Sequence, residues 1–109
     1  MDNLFEISND VQKAIDLKKP IVALESTLIS HGLPYPDNIK VAKESISAVE
    51  DNGSVAATIG VINGKVKIGL SEDDINILAK DNYVQKVSNH NLNLSLFKKE
   101  NAATTVAST

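Results

Sequence analysis

Positions 21–24, Ile-Val-Ala-Leu, form an apolar run that closes abruptly on Glu25 and then on hydroxyls, an imidazole and a glycine: Ser26, Thr27, Ser30, His31 and Gly32. Four consecutive apolar residues predict a short strand buried on both faces, the composition of a strand in a parallel sheet. Ligands of open α/β sheets bind just beyond the carboxyl ends of such strands. Glu25 is therefore the leading candidate for acid–base chemistry. The same pattern, with about equal weight, fits a glutamate that caps a helix or pairs with a lysine, because structural acids are perturbed too.

The remaining chain alternates helical and extended patterns. Ser8 or Asn9 is placed to cap a first helix with Val11, Ala14, Ile15 and Lys18 on one face and Pro20 as its stop. The segment 30–38, with one Gly and two Pro, reads as a loop whose backbone is partly fixed in advance, as suits a binding site or a plain connector. Asp37 or Asn38 then begins a helix to about Asn52, with Ile39, Ala42, Ile46 and Val49 spaced by three and four and Gly53 beyond its end. Asn63-Gly64 between two β-rich runs, 55–62 and 65–70, is a strong hairpin signal, because both central residues of the favoured turn take positive φ. Lys65 and Lys67 alternate with Val66 and Ile68, which predicts either a strand at an edge with solvated lysines or a strand whose lysines face a cleft. Ser71 followed by Asp74 has the order of a capping box and starts a helix carrying Ile75, Leu78 and Ala79 to about Lys80. Positions 83–88 form a further extended stretch in which Lys86 sits among apolar neighbours, the pattern of a snorkelling surface lysine or of a ligand contact. Positions 89–97 are rich in asparagine, 98–101 read as a solvated turn, and the hydroxyl-rich run 102–109 has the character of a buried segment and of an interrupted fold.

Bulk properties narrow the functional classes. A chain of 109 residues is one domain at most. With two Phe, two Tyr and no Trp, the core must be aliphatic and stacking on nucleic-acid bases is disfavoured. The formal net charge of −3 gives no electrostatic footprint for a polyanion, while a single phosphate needs only a lysine or a helix start. The absence of Cys excludes disulfides, thiolate nucleophiles and cysteine metal sites, and His31 and His90 lack local ligand spacing. The acidic start and the lack of a long apolar run lead to the expectation of a soluble, cytoplasmic protein with no membrane or nucleic-acid partner.

Six blocks in order carry a specific resemblance: Ala23-Leu24-Glu25-Ser26-Thr27, Ser30-His31-Gly32-Leu33-Pro34-Tyr35-Pro36, Ala57-Thr58-Ile59, Lys67-Ile68-Gly69-Leu70-Ser71, Lys86-Val87-Ser88 and the run from Ala103 to Thr109. Together they resemble the pseudouridine-5'-phosphate glycosidase family, also called indigoidine synthase A-like. The resemblance covers nearly all of this chain and less than half of a typical member, so residues 1–109 read as the N-terminal part of a single domain, apparently truncated.

The resemblance implies an α/β fold, a partial α/β/α layered arrangement whose sheet contains an antiparallel hairpin and is flanked by helices. It implies cleavage of the carbon–carbon glycosidic bond of pseudouridine 5'-phosphate to uracil and ribose 5-phosphate, with a divalent metal, Mn2+, and a homo-oligomer, a trimer, in the complete protein. A carbon leaving group cannot be expelled by simple protonation, so the sugar is opened and held as an iminium on a lysine. By the same resemblance Glu25 is the proton donor for ring opening, Lys86 contacts substrate, and Val106 touches substrate through its backbone. The nucleophilic lysine and the metal-binding aspartate have no counterpart before Thr109.

Three departures stand out. Asn89-His90-Asn91-Leu92 replaces an arginine-rich stretch, Ala56 stands where proline is usual, and Ala102 stands where a glycine is expected, a change that restricts a backbone needing positive φ. The alternative to an active enzyme is accordingly a catalytically inactive fragment or decayed copy serving as a binding or assembly piece.

Overall fold

Positions 55–62 supply eight residues of high β-propensity with a single glycine, and they form the longest strand of the protein, on which all other strands are arranged. The computed structural model describes residues 4–81, 84–87, 99–106 and 109, the strand at 85–87 by its backbone. The asparagine-rich stretch with its Asn89-His90-Asn91-Leu92 departure lies outside the described residues. The order is β1 (Phe5–Ile7), α1 (Asn9–Asp16), β2 (Ile21–Leu24), a π-helical turn (Leu28–Gly32), α2 (Asp37–Asp51), β3 (Val55–Ile62), β4 (Lys65–Ile68), α3 (Glu72–Lys80), β5 (Gln85–Val87) and β6 (Ala102–Thr104). The architecture is the expected mixed α/β sheet with flanking helices.

The sheet has six strands, in the order β1-β4-β3-β6-β5, with β2 also paired to β3. β3 and β4 form the predicted hairpin, Val61 opposite Val66, and Asn63 and Gly64 take φ of 50° and 78° in its turn. Residues before β6 clamp that turn: Asn63 N–H donates to Asn101 Oδ1 at 2.7 Å, and Gly64 N–H donates to the Glu100 carbonyl at 3.1 Å.

α2, α3 and the π-helical turn cover one face, where Ile29, Ala42, Ile75, Leu78, Val84 and Ala103 form the main buried cluster. The helices approach β3 so closely at Gly60 that an added Cβ would lie 3.2 Å from Leu78 Cδ1 and 3.3 Å from Ser26 Oγ. An added methyl there would make Leu70, Leu78 and Ser26 give by a few tenths of an ångström. The opposite face carries Val61, Val66 and Ala102, with Ile59 and Ile68 against them.

Several local expectations need correction. β2 is a strand as predicted, but Ile21, Val22 and Ala23 are exposed rather than buried on both faces, because β2 is paired only to β3 among the described residues. α1 ends at Asp16, short of Pro20. Lys18 adopts φ of 56°, Lys19 N–H donates to the Ala14 carbonyl, and this left-handed C-cap stops the helix and leaves Ile15 exposed. No side chain caps α2 at its start, although Gly53 closes its end with φ of 84° as expected. Ala102 lies within β6, fully buried and without positive φ, so its side chain imposes no backbone strain. Part of the segment read as a loop is the π-helical turn, and the Tyr35–Pro36 peptide is cis.

β4 is not an edge. β1 pairs with it in parallel; Lys65 is exposed as expected, whereas Lys67, with 24% of its side chain exposed, lies between Glu6 Oε2 and Asp74 Oδ1 at 3.2 Å each. Asp74 is also the reciprocal member of the predicted capping box with Ser71. Burial disfavours the Lys67 ammonium, but its hydrogen bonds to Asp74 and Glu6 and their charges outweigh that cost, and its pKa is raised. A raised lysine pKa adds stability that is whole below the unfolded-state value of about 10.4 and fades as pH climbs through the folded value. Lys67→Met should therefore lower unfolding free energy by up to about 1 kcal/mol at neutral pH, since solvent screens a partly exposed pair. In urea titrations between neutral and strongly alkaline pH, the variant should lack the alkaline loss that the parent shows.

Candidate active site

β2 and β3 run in one direction, whereas β4, β5 and β6 run in the other. β2 and β6 share one edge of β3, β2 alongside 55–58 and β6 alongside 60–61, so their carboxyl ends meet head-on. β5 lies parallel to β6, with Val87 opposite Thr104. Three strands thus bring their carboxyl ends to one place, where an α/β sheet offers its ligand sites.

A knot of hydroxyls fixes the junction. Ser26 and Thr104 are 0% and 2% exposed. Ser26 N–H donates to the Thr104 carbonyl at 3.1 Å, and Thr104 N–H donates to Ser26 Oγ at 2.7 Å. Thr104 Oγ1 donates to the Ile59 carbonyl at 2.7 Å and lies 3.3 Å from Ser26 Oγ, while Thr27 Oγ1 donates to the Thr104 carbonyl at 2.9 Å. Each side-chain hydroxyl brought out of water in this knot is matched, which is what makes its burial tolerable. Small hydroxyl residues directly after an acid at a strand end were the available sequence signal for it, but spacing alone assigns them no partner 78 residues away.

The three candidate residues surround this knot. Glu25 directly precedes Ser26 and is half-buried, with no ion pair to any described residue. Lys86 lies opposite Ala103 in the β5–β6 register, so its backbone is one strand spacing sideways and a few residues along from that of Glu25, roughly 10 Å away. Val106 follows β6 by two residues and is 78% exposed.

Glu25 borders a cleft of about 80 Å³ lined by Leu24, Leu28, Ile29, Ala42 and Thr58. At ~30 Å³ per water this admits two or three waters. A larger groove of about 400 Å³ opens beside the π-helical turn, between Ser30, His31 and Tyr35 on one side and Lys80 and Asp81 on the other. Ser30 Oγ lies 2.6 Å from His31 Nδ1, and Lys80 Nζ sits 5.3 Å from the centre of the Tyr35 ring.

Asn38, read from the sequence as a possible cap, has a different role. It is 3% exposed, its Nδ2 donates to the Ile29 carbonyl at 2.8 Å and to the Ala79 carbonyl at 3.0 Å, and it thereby ties the π-helical turn to α3. Among the described residues no group of three or more His, Asp or Glu side chains is arranged to hold a metal ion.

A mixed α/β sheet with flanking helices and an acid at a convergence of strand ends defines the structural class, and comparison narrows it. Residues 10–109 match the family described as indigoidine synthase A like protein, and the chain belongs to that family. It is 52% identical over 103 residues to a pseudouridine-5'-phosphate glycosidase of Thermosipho africanus, covering 94% of this chain and 35% of the relative. It is 46% identical over 109 residues to one of Glaesserella parasuis, covering 100% of this chain and 36% of that protein. Among solved structures, the prealnumycin C-glycosynthase AlnA in complex with ribulose 5-phosphate superposes with a TM-score of 0.86 at 34% identity, over all of this chain and 35% of that one. An indigoidine synthase A-like protein from Thermotoga maritima gives a TM-score of 0.84 at 27% identity, with the same coverage. The chain spans about a third of the length of the curated relatives it matches. No helix among the described residues is long and apolar enough to cross a membrane.

Ser26→Ala removes the acceptor for the buried Thr104 N–H and should cost about 1–3 kcal/mol, more than an exposed hydroxyl deletion would. Thr104→Val should cost a similar amount. In a double-mutant cycle by thermal or chemical unfolding, the two losses should fall well short of additive, because each variant breaks the same knot.

Proposed function

We propose that this chain carries the acid and substrate-contact part of a pseudouridine-5'-phosphate glycosidase, which with water converts pseudouridine 5'-phosphate reversibly to uracil and ribose 5-phosphate. The supporting observation is the convergence of the segments of Glu25, Lys86 and Val106 at three strand ends, within a chain 52% identical to a relative of that name. In this reading the Glu25 carboxyl gives its proton to the ribose ring oxygen as the ring opens. The Lys86 ammonium, a compact point charge, holds the phosphate or a sugar oxygen, and the backbone at Val106 bounds the substrate. The knot of Ser26 and Thr104 keeps the donor at a constant distance from the strand that bears Lys86. By the resemblance, the covalent lysine and the metal-binding aspartate have no counterpart among residues 1–109, and the complete protein is expected to be a trimer.

A second reading, a catalytically silent binding piece, draws on the departures at Ala56 and at Asn89-His90-Asn91-Leu92 from the family pattern. The test joins residues 1–109 to the portion of the Thermosipho africanus glycosidase that follows its matched region and measures uracil release with Mn2+. Turnover by the fusion supports the first reading, and a folded but inert fusion supports the second. In that fusion Glu25→Gln should keep ribose 5-phosphate affinity and lower turnover by about 10²–10⁴-fold, since shape is retained and the transferable proton is lost. Lys86→Met should weaken ribose 5-phosphate binding with little change in melting temperature. Unchanged turnover in the Glu25→Gln variant would remove Glu25 as the acid. The 109-residue chain alone should release no uracil and form no borohydride-trapped adduct.

A further inference from the structure

The π-helical turn Leu28–Gly32 begins three residues after Glu25 and contributes to two cavities. Leu28 and Ile29 line the cleft of about 80 Å³ that Glu25 borders, and Ser30 and His31 line the groove of about 400 Å³. π-helical turns are rare and occur frequently at functional sites. This one is held from two directions. Ile29 N–H donates to the carbonyl of Ser26, the residue after Glu25, at 3.0 Å. The Ile29 carbonyl, in turn, is held by Asn38.

Asn38 is 3% exposed, and its whole amide is engaged: Nδ2 donates to the Ile29 and Ala79 carbonyls at 2.8 and 3.0 Å, and Oδ1 accepts from Ile39 N–H at 2.8 Å. No other side chain of this length offers two donors and an acceptor. Aspartate presents acceptors only, serine one short hydroxyl, and glutamine is longer by a methylene, so the residue type follows from the two carbonyls to be reached. Capping does not account for it, because no side chain caps the start of α2.

We propose that Asn38 is a positioning residue for Glu25: by clamping the Ile29 carbonyl to the end of α3 it fixes the wall of the acid's cleft, and with it the direction of the carboxyl. The proposal rests on the glycosidase reading, in which Glu25 is the proton donor, and Asn38 acts through the turn and not on the substrate. Without the clamp Leu28 and Ile29 lose their fixed place beside Glu25, and the carboxyl spends less time aligned with the ribose ring oxygen. Proton transfer suffers, whereas the grip on substrate, assigned to Lys86 and Val106 on other strands, does not.

The chain and the fusion each supply a test. In the 109-residue chain, Asn38→Ala should speed amide exchange at Ile29 about tenfold or more and leave the amides of the β3–β4 hairpin as they are. In the fusion to the remainder of the Thermosipho africanus glycosidase, assayed well below the melting temperature, Asn38→Ala should lower kcat about tenfold, with KM and ribose 5-phosphate affinity within about twofold of the parent. Added to Glu25→Gln and followed in single turnovers, the same substitution should cost less than about twofold, since a residue acting through the acid has nothing left to align. A purely structural role would lower the amount of active protein equally in both backgrounds. Where Asn38→Ala does not fold, Asn38→Ser, which keeps one donor, takes its place throughout. Unchanged exchange at Ile29, an unchanged kcat, a loss confined to KM, or an equal loss in the Glu25→Gln background would each overturn the proposal. An inert parent fusion overturns the glycosidase reading and the role of Asn38 with it, an outcome distinct from an active fusion that Asn38→Ala leaves unchanged.

Discussion

The pairing of β3 along both of its edges is the constraint on which this structure depends. On one side it holds β4 and, through β4, β1; on the other it holds β2 along its first half and β6 along its second. A strand of ordinary length would accommodate one neighbour per edge, but eight residues allow two short strands to share one side. The head-on meeting of β2 and β6 follows from that sharing. Gly60, placed where the two neighbours meet and α3 comes down on the sheet, is the residue whose missing side chain makes the arrangement fit.

Packing and chemistry are joined at the same point. The hydroxyls of Ser26 and Thr104 take the place that apolar side chains would hold in a plain core, and they satisfy main-chain groups left free where both strands stop. A polar junction of this kind costs little once every group is paired, and it is specific, because a displaced partner leaves another group unsatisfied. Glu25 inherits its position from this junction: Ser26, its neighbour in sequence, is held to Thr104 by three hydrogen bonds, while Glu25 itself borders a small cleft. The Lys67 triad performs a comparable service at the other side of the sheet, fastening the short β1 and the start of α3 to β4.

What could be read from the sequence divides by range. Asn63-Gly64, the Ser71–Asp74 capping box and Gly53 are decided within four residues, so the hairpin, the end of α2 and the start of α3 were legible. The strand at 21–24 was legible from composition, but its exposure was not, since burial depends on which strands lie beside it. Lys67 looked like a solvated edge residue because its partners Glu6 and Asp74 come from different elements, and β1, with three residues, has no periodicity to detect. The π-helical turn was hidden for a similar reason: Asn38 holds it by reaching the Ile29 and Ala79 carbonyls, a tertiary act by a residue type that also suits a cap. Glu25 and Lys86 stood out by their local pattern, their roles and that of Val106 came from resemblance to a family, and only the fold brought their segments together.

The distance in sequence between the two halves of the hydroxyl knot has a kinetic consequence. Ser26 and Thr104 are separated by 78 residues, so their contact closes most of the chain into a loop. The entropy of that closure must be met before the bonds return anything, which places the contact late in folding, after the local hairpin of β3 and β4. On a ribosome adding about 5–20 residues each second, the surroundings of Glu25 stay unassembled for several seconds after Glu25 itself is made. During that interval β2 has its β3 neighbour to wait for and β6 not yet synthesised, and the acid at its end is an ordinary exposed glutamate. Whatever chemistry these strand ends support is thus a property of the late folded state and not of any early intermediate.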